Sequence, residues 1–233
     1  MGFLLDSFFS AVLLILRLDP ELLEVVSVSL KVSSASTFIA TLMGAPVGVF
    51  IALNEFRGKR VLITFLNTLL ALPTVVIGLF VYAFISRRGI LGPLGLLYTQ
   101  KAIVIGQVIL ITPIIATLTI SAISRIDERY RKTALSLGAD AVQSALVVLR
   151  EARFGVIAAL IVAFGRVIAE VGISMMLGGN AKGFTRTITT AMALEYDKGE
   201  FVLSVALGIV LLLVSFSLNL VFNFVQGSTG APR

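Results

Sequence analysis

Apolar residues gather in five long runs along this chain, at residues 25–53, 61–86, 102–123, 154–177 and 201–225. A bilayer core about 30 Å thick takes roughly 20 helical residues to cross, so each run is long enough to span. Lys31 lies near the start of the first run, where its ammonium can snorkel to the head groups. The basic cluster Arg57, Lys59 and Arg60 precedes the second, and the fifth carries no charge after Glu200. This pattern predicts an all-α membrane protein of five transmembrane helices, with residues 1–233 forming a single transmembrane domain.

Two stretches break the pattern. Residues 3–18 are apolar, but only Phe8 to Leu16 run uninterrupted, bracketed by Asp6 and Arg17 and stopped by Asp19-Pro20. So short a run predicts a helix lying in the membrane interface rather than a span. It has neither the basic n-region nor the small-residue cleavage site of a signal peptide. Residues 125–153, RIDERYRKTALSLGADAVQSALVVLREAR, are the one long charge-rich stretch. Ala134, Leu135, Leu137 and Gly138 predict one short helix and Ala141 to Leu149 a second, meeting near Gly138-Ala139-Asp140. Glycine turns a chain there at low steric cost. Such a segment is either a docking piece for another protein or an ordinary linker with helical propensity.

Composition narrows the class. Of 233 residues, 58% are hydrophobic and 14% charged, and mean hydropathy is +1.03. Soluble domains are closer to 45–50% apolar and about 25% charged. The net charge of +6 does not come from basic residues interleaved with aromatics, so nucleic acid is a poor partner and anionic lipid head groups a good one. There is no histidine and no cysteine. The commonest general base, the commonest metal ligand and any thiolate nucleophile are therefore missing, which disfavours a catalytic or redox membrane enzyme.

The loops set an orientation. Ten Lys and Arg residues, among them Arg57, Lys59, Arg60 and six within 125–153, fall on one side of the membrane and seven on the other. The positive-inside bias then places the 125–153 loop and the C-terminus in the cytoplasm and the N-terminus outside, although Arg87-Arg88 on the outer side runs against it.

Three sites inside the spans and one in the loop after the fourth span carry chemistry. Arg166 and Glu170 stand four apart and share a helix face, either lining a pathway or the joint with a second subunit, or forming a structural ion pair. Pro73, with Thr74 and Gly78 after it, breaks the helix ladder; the break builds either a substrate gate or a plain kink. Pro113 predicts a second kink with the same two readings. The polar turn Gly178-Gly179-Asn180-Ala181-Lys182-Gly183 is followed by the hydroxyls of Thr185, Thr187, Thr189 and Thr190. Amides and hydroxyls of this kind can hold an oxyanion; the other reading is a connecting loop.

The 125–153 stretch resembles the coupling loop of ATP-binding-cassette importer permeases, whose pattern is Glu-Ala-Ala, three residues, Gly, nine residues, Ile-x-Leu-Pro. With Gly138 on the family glycine, Ala134 falls on the second alanine and Val148 on the isoleucine. Lys132 and Thr133 replace the Glu and first Ala, and Arg150 and Glu151 replace the Leu and Pro. Arg166-Val-Ile-Ala-Glu170-Val-Gly172 and the run to Asn180 resemble the RALGEFG…AGN stretch of oxyanion importers. Ala71 to Gly78 resembles their LPPVVxG turn. The GISMMLGGN…TRTITTA run and the LREAR ending are most similar to the short tungstate permeases; molybdate and sulfate permeases share the plan but usually have a sixth span.

The resemblance implies a type I importer fold of the MetI-like kind and a homodimeric permease. It implies two ATPase subunits docked through Lys132, Thr133, Ala134, Leu137, Gly138, Ala139 and Asp140, and an oxyanion-binding protein outside. Tungstate is the implied substrate, with molybdate or sulfate as alternatives. ATP and magnesium would bind the partner ATPase; this chain has no Gly-x-x-x-x-Gly-Lys-[Ser/Thr] loop and no cofactor of its own is expected. Closure of the ATPases on ATP would draw the coupling loops together and open the permease outward. The different-class alternative is a membrane enzyme or scaffold without transport.

Overall fold

The computed structural model describes the chain from residue 2 to 227, apart from residue 18. Leu18 of the predicted N-terminal helix and Arg233 of the charge count lie outside the described residues. Eleven α-helices and no strand occur among the described residues. They are α1 (Gly2–Leu16), α2 (Pro20–Leu53), α3 (Lys59–Leu70), α4 (Thr74–Ile85), α5 (Gln100–Ser124) and α6 (Glu128–Ser136). α7 (Ala141–Glu151), α8 (Arg153–Ile168), α9 (Gly172–Gly178), α10 (Ile188–Asp197) and α11 (Phe201–Gly227) follow.

α2 and α5 are each long and apolar enough to cross a membrane, and the pairs α3–α4 and α8–α9 are so if each counts as one interrupted span. α2, the first expected span, begins at Pro20 rather than at residue 25, because Asp19 caps it: its Oδ1 accepts from the Glu21 and Leu22 amides at 2.9 and 3.1 Å. Asp at the cap with Pro next is a favoured helix start. The expected 61–86 span is divided at Ala71–Pro73, and the 154–177 span at Ala169–Val171. Pro113, by contrast, interrupts nothing: α5 runs through it from Gln100 to Ser124.

The chain divides into two compact units, Met1–Ser36 with Pro73–Gln107 and Gly165–Arg233, and Thr37–Leu72 with Val108–Phe164. In the first, α11 packs on α1 and α10, around Leu22, Val25, Ile188, Ala191, Leu207 and Val210. α9 is seated by glycines. A Cβ on Gly78 of α4 would meet Met176 Sδ at 2.9 Å, and one on Gly106 of α5 would meet Ile173 Cγ2 at 2.6 Å. Polar pairs pin the same unit: Ser29 Oγ accepts from the Ile188 amide at 2.7 Å, and Gln107 Oε1 accepts from Ser36 Oγ at 2.7 Å.

In the second unit Gly44 and Gly48 of α2 let two backbones approach, the small-xxx-small device of membrane helices. A Cβ on Gly44 would lie 2.8 Å from the Thr112 carbonyl oxygen of α5, and one on Gly48 2.7 Å from that of Ala116. Phe38, Leu42 and Phe50 on α2 remain exposed, as side chains facing lipid would.

Candidate functional site

Residues 125–153 fold as a helical hairpin in which each turn has a local cause. Asp127 caps α6 by accepting from the Arg129 amide at 2.9 Å. Lys132 Nζ lies 2.5 Å from Glu128 Oε2 one turn away. That hydrogen bond holds the Glu128 carboxyl below its ordinary range and the Lys132 ammonium above its own. α6 then ends in two reversed hydrogen bonds. The Gly138 amide donates to Leu135 O and the Ala139 amide to Ala134 O, at 3.1 and 3.0 Å, with Gly138 at φ +89°. This is the Schellman stop, which needs a left-handed residue after the cap. Thr133 O accepts from the Leu137 amide in the same turn. Asp140 begins α7 with a reciprocal capping box: its carboxylate accepts from the Gln143 amide at 2.7 Å, and Gln143 Oε1 from the Asp140 amide at 3.0 Å.

One face of the hairpin is anchored. Arg131 Nη1 donates to Leu53 O at 2.5 Å, and Val148 and Ala152 form a buried cluster with Ile123, packed by Val49, Leu53 and Ile126. The other face is bare: Leu137 is 82% exposed, and Val142 and Leu146 are exposed too. Of the candidate coupling residues, Ala134 alone is buried, Ala139 is half-buried, and Lys132, Thr133, Leu137, Gly138 and Asp140 are exposed.

The first unit holds α4, α9 and the break between α8 and α9. Pro73, extended at φ −62° and ψ 131°, opens α4, and its carbonyl accepts from the Val76 and Ile77 amides. Thr74 lies beside the second break: a Cβ on Gly172 would sit 3.1 Å from Thr74 Oγ1 and 3.3 Å from Glu170 Oε1. Gly78 is turned onto Met176 as packing. Glu170, 3% exposed, receives Arg166 Nη1 on Oε2 at 2.8 Å while the Arg166 side chain is 43% exposed. The same carboxylate accepts from the Ile173 amide at 3.3 Å, at the start of α9, and Thr189 Oγ1 donates to Glu170 O at 2.9 Å. One residue thus ends α8, starts α9 and binds α10.

The 178–190 segment is a clasp. Thr185 is buried, its hydroxyl donating to Gly178 O at 2.6 Å and accepting from the Ala181 amide at 3.0 Å. Thr187 is buried too and caps α10 in a box with Thr190. All four hydroxyls expected near an anion, those of Thr185, Thr187, Thr189 and Thr190, are thus engaged within the protein. Asn180, at φ +51°, donates to Thr190 O at 3.3 Å, while its Oδ1 is buried without a partner. Lys182 and Arg186 fasten the turn to Glu21 of α2 at 2.7 and 3.3 Å.

Sequence reading missed α10, whose apolar run is too short to mark a span. The signal was present as Thr187-x-x-Thr190, a hydroxyl spacing that caps helices. It also missed Tyr98, held at φ +62° with its amide donating to Leu177 O at 2.8 Å and its ring filling the space over Gly179.

Residues 44–229 match the family described as binding-protein-dependent transport system inner membrane component. The tungstate uptake system permease protein TupB of Peptoclostridium acidaminophilum is 36% identical over 226 residues, covering 97% of this chain and 99% of the relative. The protein of the same name from Campylobacter jejuni subsp. jejuni is 39% identical over 221 residues, covering 95% and 92%. A chain of the inward-facing MetNI methionine ABC transporter superposes with a TM-score of 0.73 at 18% identity, covering 90% of this chain and 96% of that one. The all-helical, MetI-like architecture and the family match together make this chain a member of the binding-protein-dependent transport system inner membrane components, the permease subunits of ABC importers.

Proposed function

We propose that the chain is the membrane-spanning permease of a tungstate importer, driven by ATP hydrolysis in a separate subunit. The observation that carries this reading is 36–39% identity, over nearly the whole chain, to permeases named for tungstate uptake. The capped and anchored hairpin with a bare apolar face supports it, since a rigid lever needs both a firm root and a free docking surface. Residues 1–233 form one transmembrane domain of five spans: α2, α3–α4, α5, α8–α9 and α11. The short α1 lies at the interface; its packing on α11 is compatible with that place.

The hairpin faces the cytoplasm and meets an ATPase through Leu137, Gly138 and their neighbours; the C-terminus lies on the same side and the N-terminus outside. Two permease copies enclose the path, because five spans enclose one poorly and a two-fold axis closes it. Two ATPases, which bind the ATP and magnesium, sit below and an oxyanion-binding protein above. Arg166, Glu170, Pro73 and Thr74, at the two breaks, are where the path opens and closes, and Asn180, Thr185 and Thr187 hold the turn beside it. Calorimetry on the partner binding protein tests the substrate: tungstate should bind more tightly than molybdate and far more tightly than sulfate. A preference for sulfate overturns the assignment.

A further inference from the structure

Between Glu55 and Asp127 the chain has no acidic residue, and Arg87 and Arg88 stand in the middle of that stretch. Neither arginine takes part in any ion pair among the described residues. They occupy the turn after α4, whose shape depends on glycine: a Cβ on Gly92 would sit 2.6 Å from Ser86 O and 2.8 Å from Arg87 O. The turn also covers the end of α4. Ser86 N–H donates to Tyr82 O at 2.9 Å, Leu91 N–H to Phe84 O at 2.9 Å and Gly89 N–H to Ser86 O at 2.8 Å. Carbonyls that would otherwise repel an anion at a helix C-terminus are therefore already accepting.

Arg87, Arg88, Tyr82, Tyr98, Gly92 and Gly95 line a cavity of about 560 Å³. Tyr98 is the strained residue, kept left-handed by its amide bond to Leu177 O and by its ring against Gly179. A bulky residue rarely adopts that conformation, and such strain collects where a side chain must be aimed. Here it places Tyr98 on the wall of the cavity that Tyr82 also lines. The two tyrosines also line a second cavity, of about 670 Å³, with Met175, Met176 and Gly179. They thus stand between the arginine turn and the Gly178–Gly183 turn.

We propose that the arginine cavity is a reception site for a tetrahedral dianion on the permease itself, Arg87 and Arg88 supplying charge and paired N–H donors and Tyr82 and Tyr98 neutral O–H donors. Guanidinium forks suit tetrahedral oxyanions, and unpaired arginines are free to turn to one. The site rests on the proposed orientation, which puts Arg87 and Arg88 on the outer side of the membrane. It offers the anion a holding point on the permease between its release from a binding protein and its passage.

The test is equilibrium dialysis of tungstate against the full chain in complex with its ATPase, in nanodiscs and without binding protein. Saturable binding is expected, weakened by added NaCl, reduced roughly ten-fold or more in R87Q/R88Q and kept in R87K/R88K. The single variants R87Q and R88Q carry the same criterion should the pair fail to assemble. Absence of saturable binding to the unaltered complex, or equal binding by R87Q/R88Q, overturns the site. ATP-driven tungstate uptake by the unaltered complex with its binding protein reads the permease proposal separately. Uptake alongside unaltered dialysis in R87Q/R88Q discards the site and keeps the permease. Arginine-dependent binding of sulfate but not tungstate keeps the site and overturns the substrate.

Discussion

Arg166 and Glu170 are joined by a 2.8 Å ion pair that is sealed at one end and open at the other: the carboxylate is buried and the guanidinium is half-exposed. The pair lies at the break between α8 and α9, where Glu170 also receives the Ile173 amide. Removing the arginine leaves a buried charge without its partner. Removing the charge on the glutamate leaves an arginine that water can still reach. The two substitutions are therefore unequal.

R166A should lower stability by about 1–3 kcal/mol, less than for a fully buried pair because solvent already reaches the guanidinium. E170Q should cost less, since the amide oxygen can still accept from Ile173. The double variant R166A/E170Q should recover part of the R166A loss. Melting temperature in detergent, read beside uptake, checks the order; an R166A protein as stable and active as the parent would refute the pairing.

Gly138 has open space around its Cα but a φ of +89°. Its replacement is therefore a matter of backbone strain and not of clash. G138A should cost about 1 kcal/mol in the hairpin and G138N less, because asparagine tolerates the left-handed region. The expected readout is less uptake per ATP hydrolysed, at unchanged membrane content. Equal coupling in G138A would show that the Schellman turn does not transmit force.

Thr187 is a helix cap in this structure, so T187A should destabilise by about 1 kcal/mol and T187S should restore most of it. Uptake should follow stability. A T187A protein with parental melting temperature but impaired uptake would return Thr187 to the anion path.

Gly48 lies against the α5 backbone, with a would-be Cβ 2.7 Å from both the Ala116 carbonyl oxygen and Thr119 Cβ. G48A should cost about 1–3 kcal/mol as overpacking, and G48L should abolish accumulation in the membrane. Normal yield of G48L would contradict the α2–α5 contact.

What the sequence made legible was what single residues decide. Pro73 cannot donate an amide, so a break there could be expected from composition alone. Gly138 in a polar helical stretch predicted a turn, and Asp140 with Gln143 shows why α7 starts where it does. The break at Ala169–Val171 could not be read, because Ala, Glu and Val are all compatible with helix. It exists because Glu170 turns to the α9 amide and to Thr189 of α10, contacts made only after folding. The partners of the threonines were hidden for a related reason. A hydroxyl in a sequence is a free donor, and burial is what engaged Thr185 with Gly178 and Thr187 with Thr190. Pro113, the other proline singled out, lies inside the continuous helix α5.

In the proposed importer an ATPase drives the permease through the bare face of its hairpin. ATP-dependent tungstate accumulation in proteoliposomes, with ATPase and binding protein present, tests it by comparing the parent with Leu137→Asp. Leu137 is 82% exposed, so the substitution leaves the fold alone. Strong ATP-dependent accumulation by the parent is expected, with near-complete loss in Leu137→Asp while the chain stays in the membrane. Accumulation unaltered by Leu137→Asp, or no ATP-dependent accumulation by the parent, would contradict it.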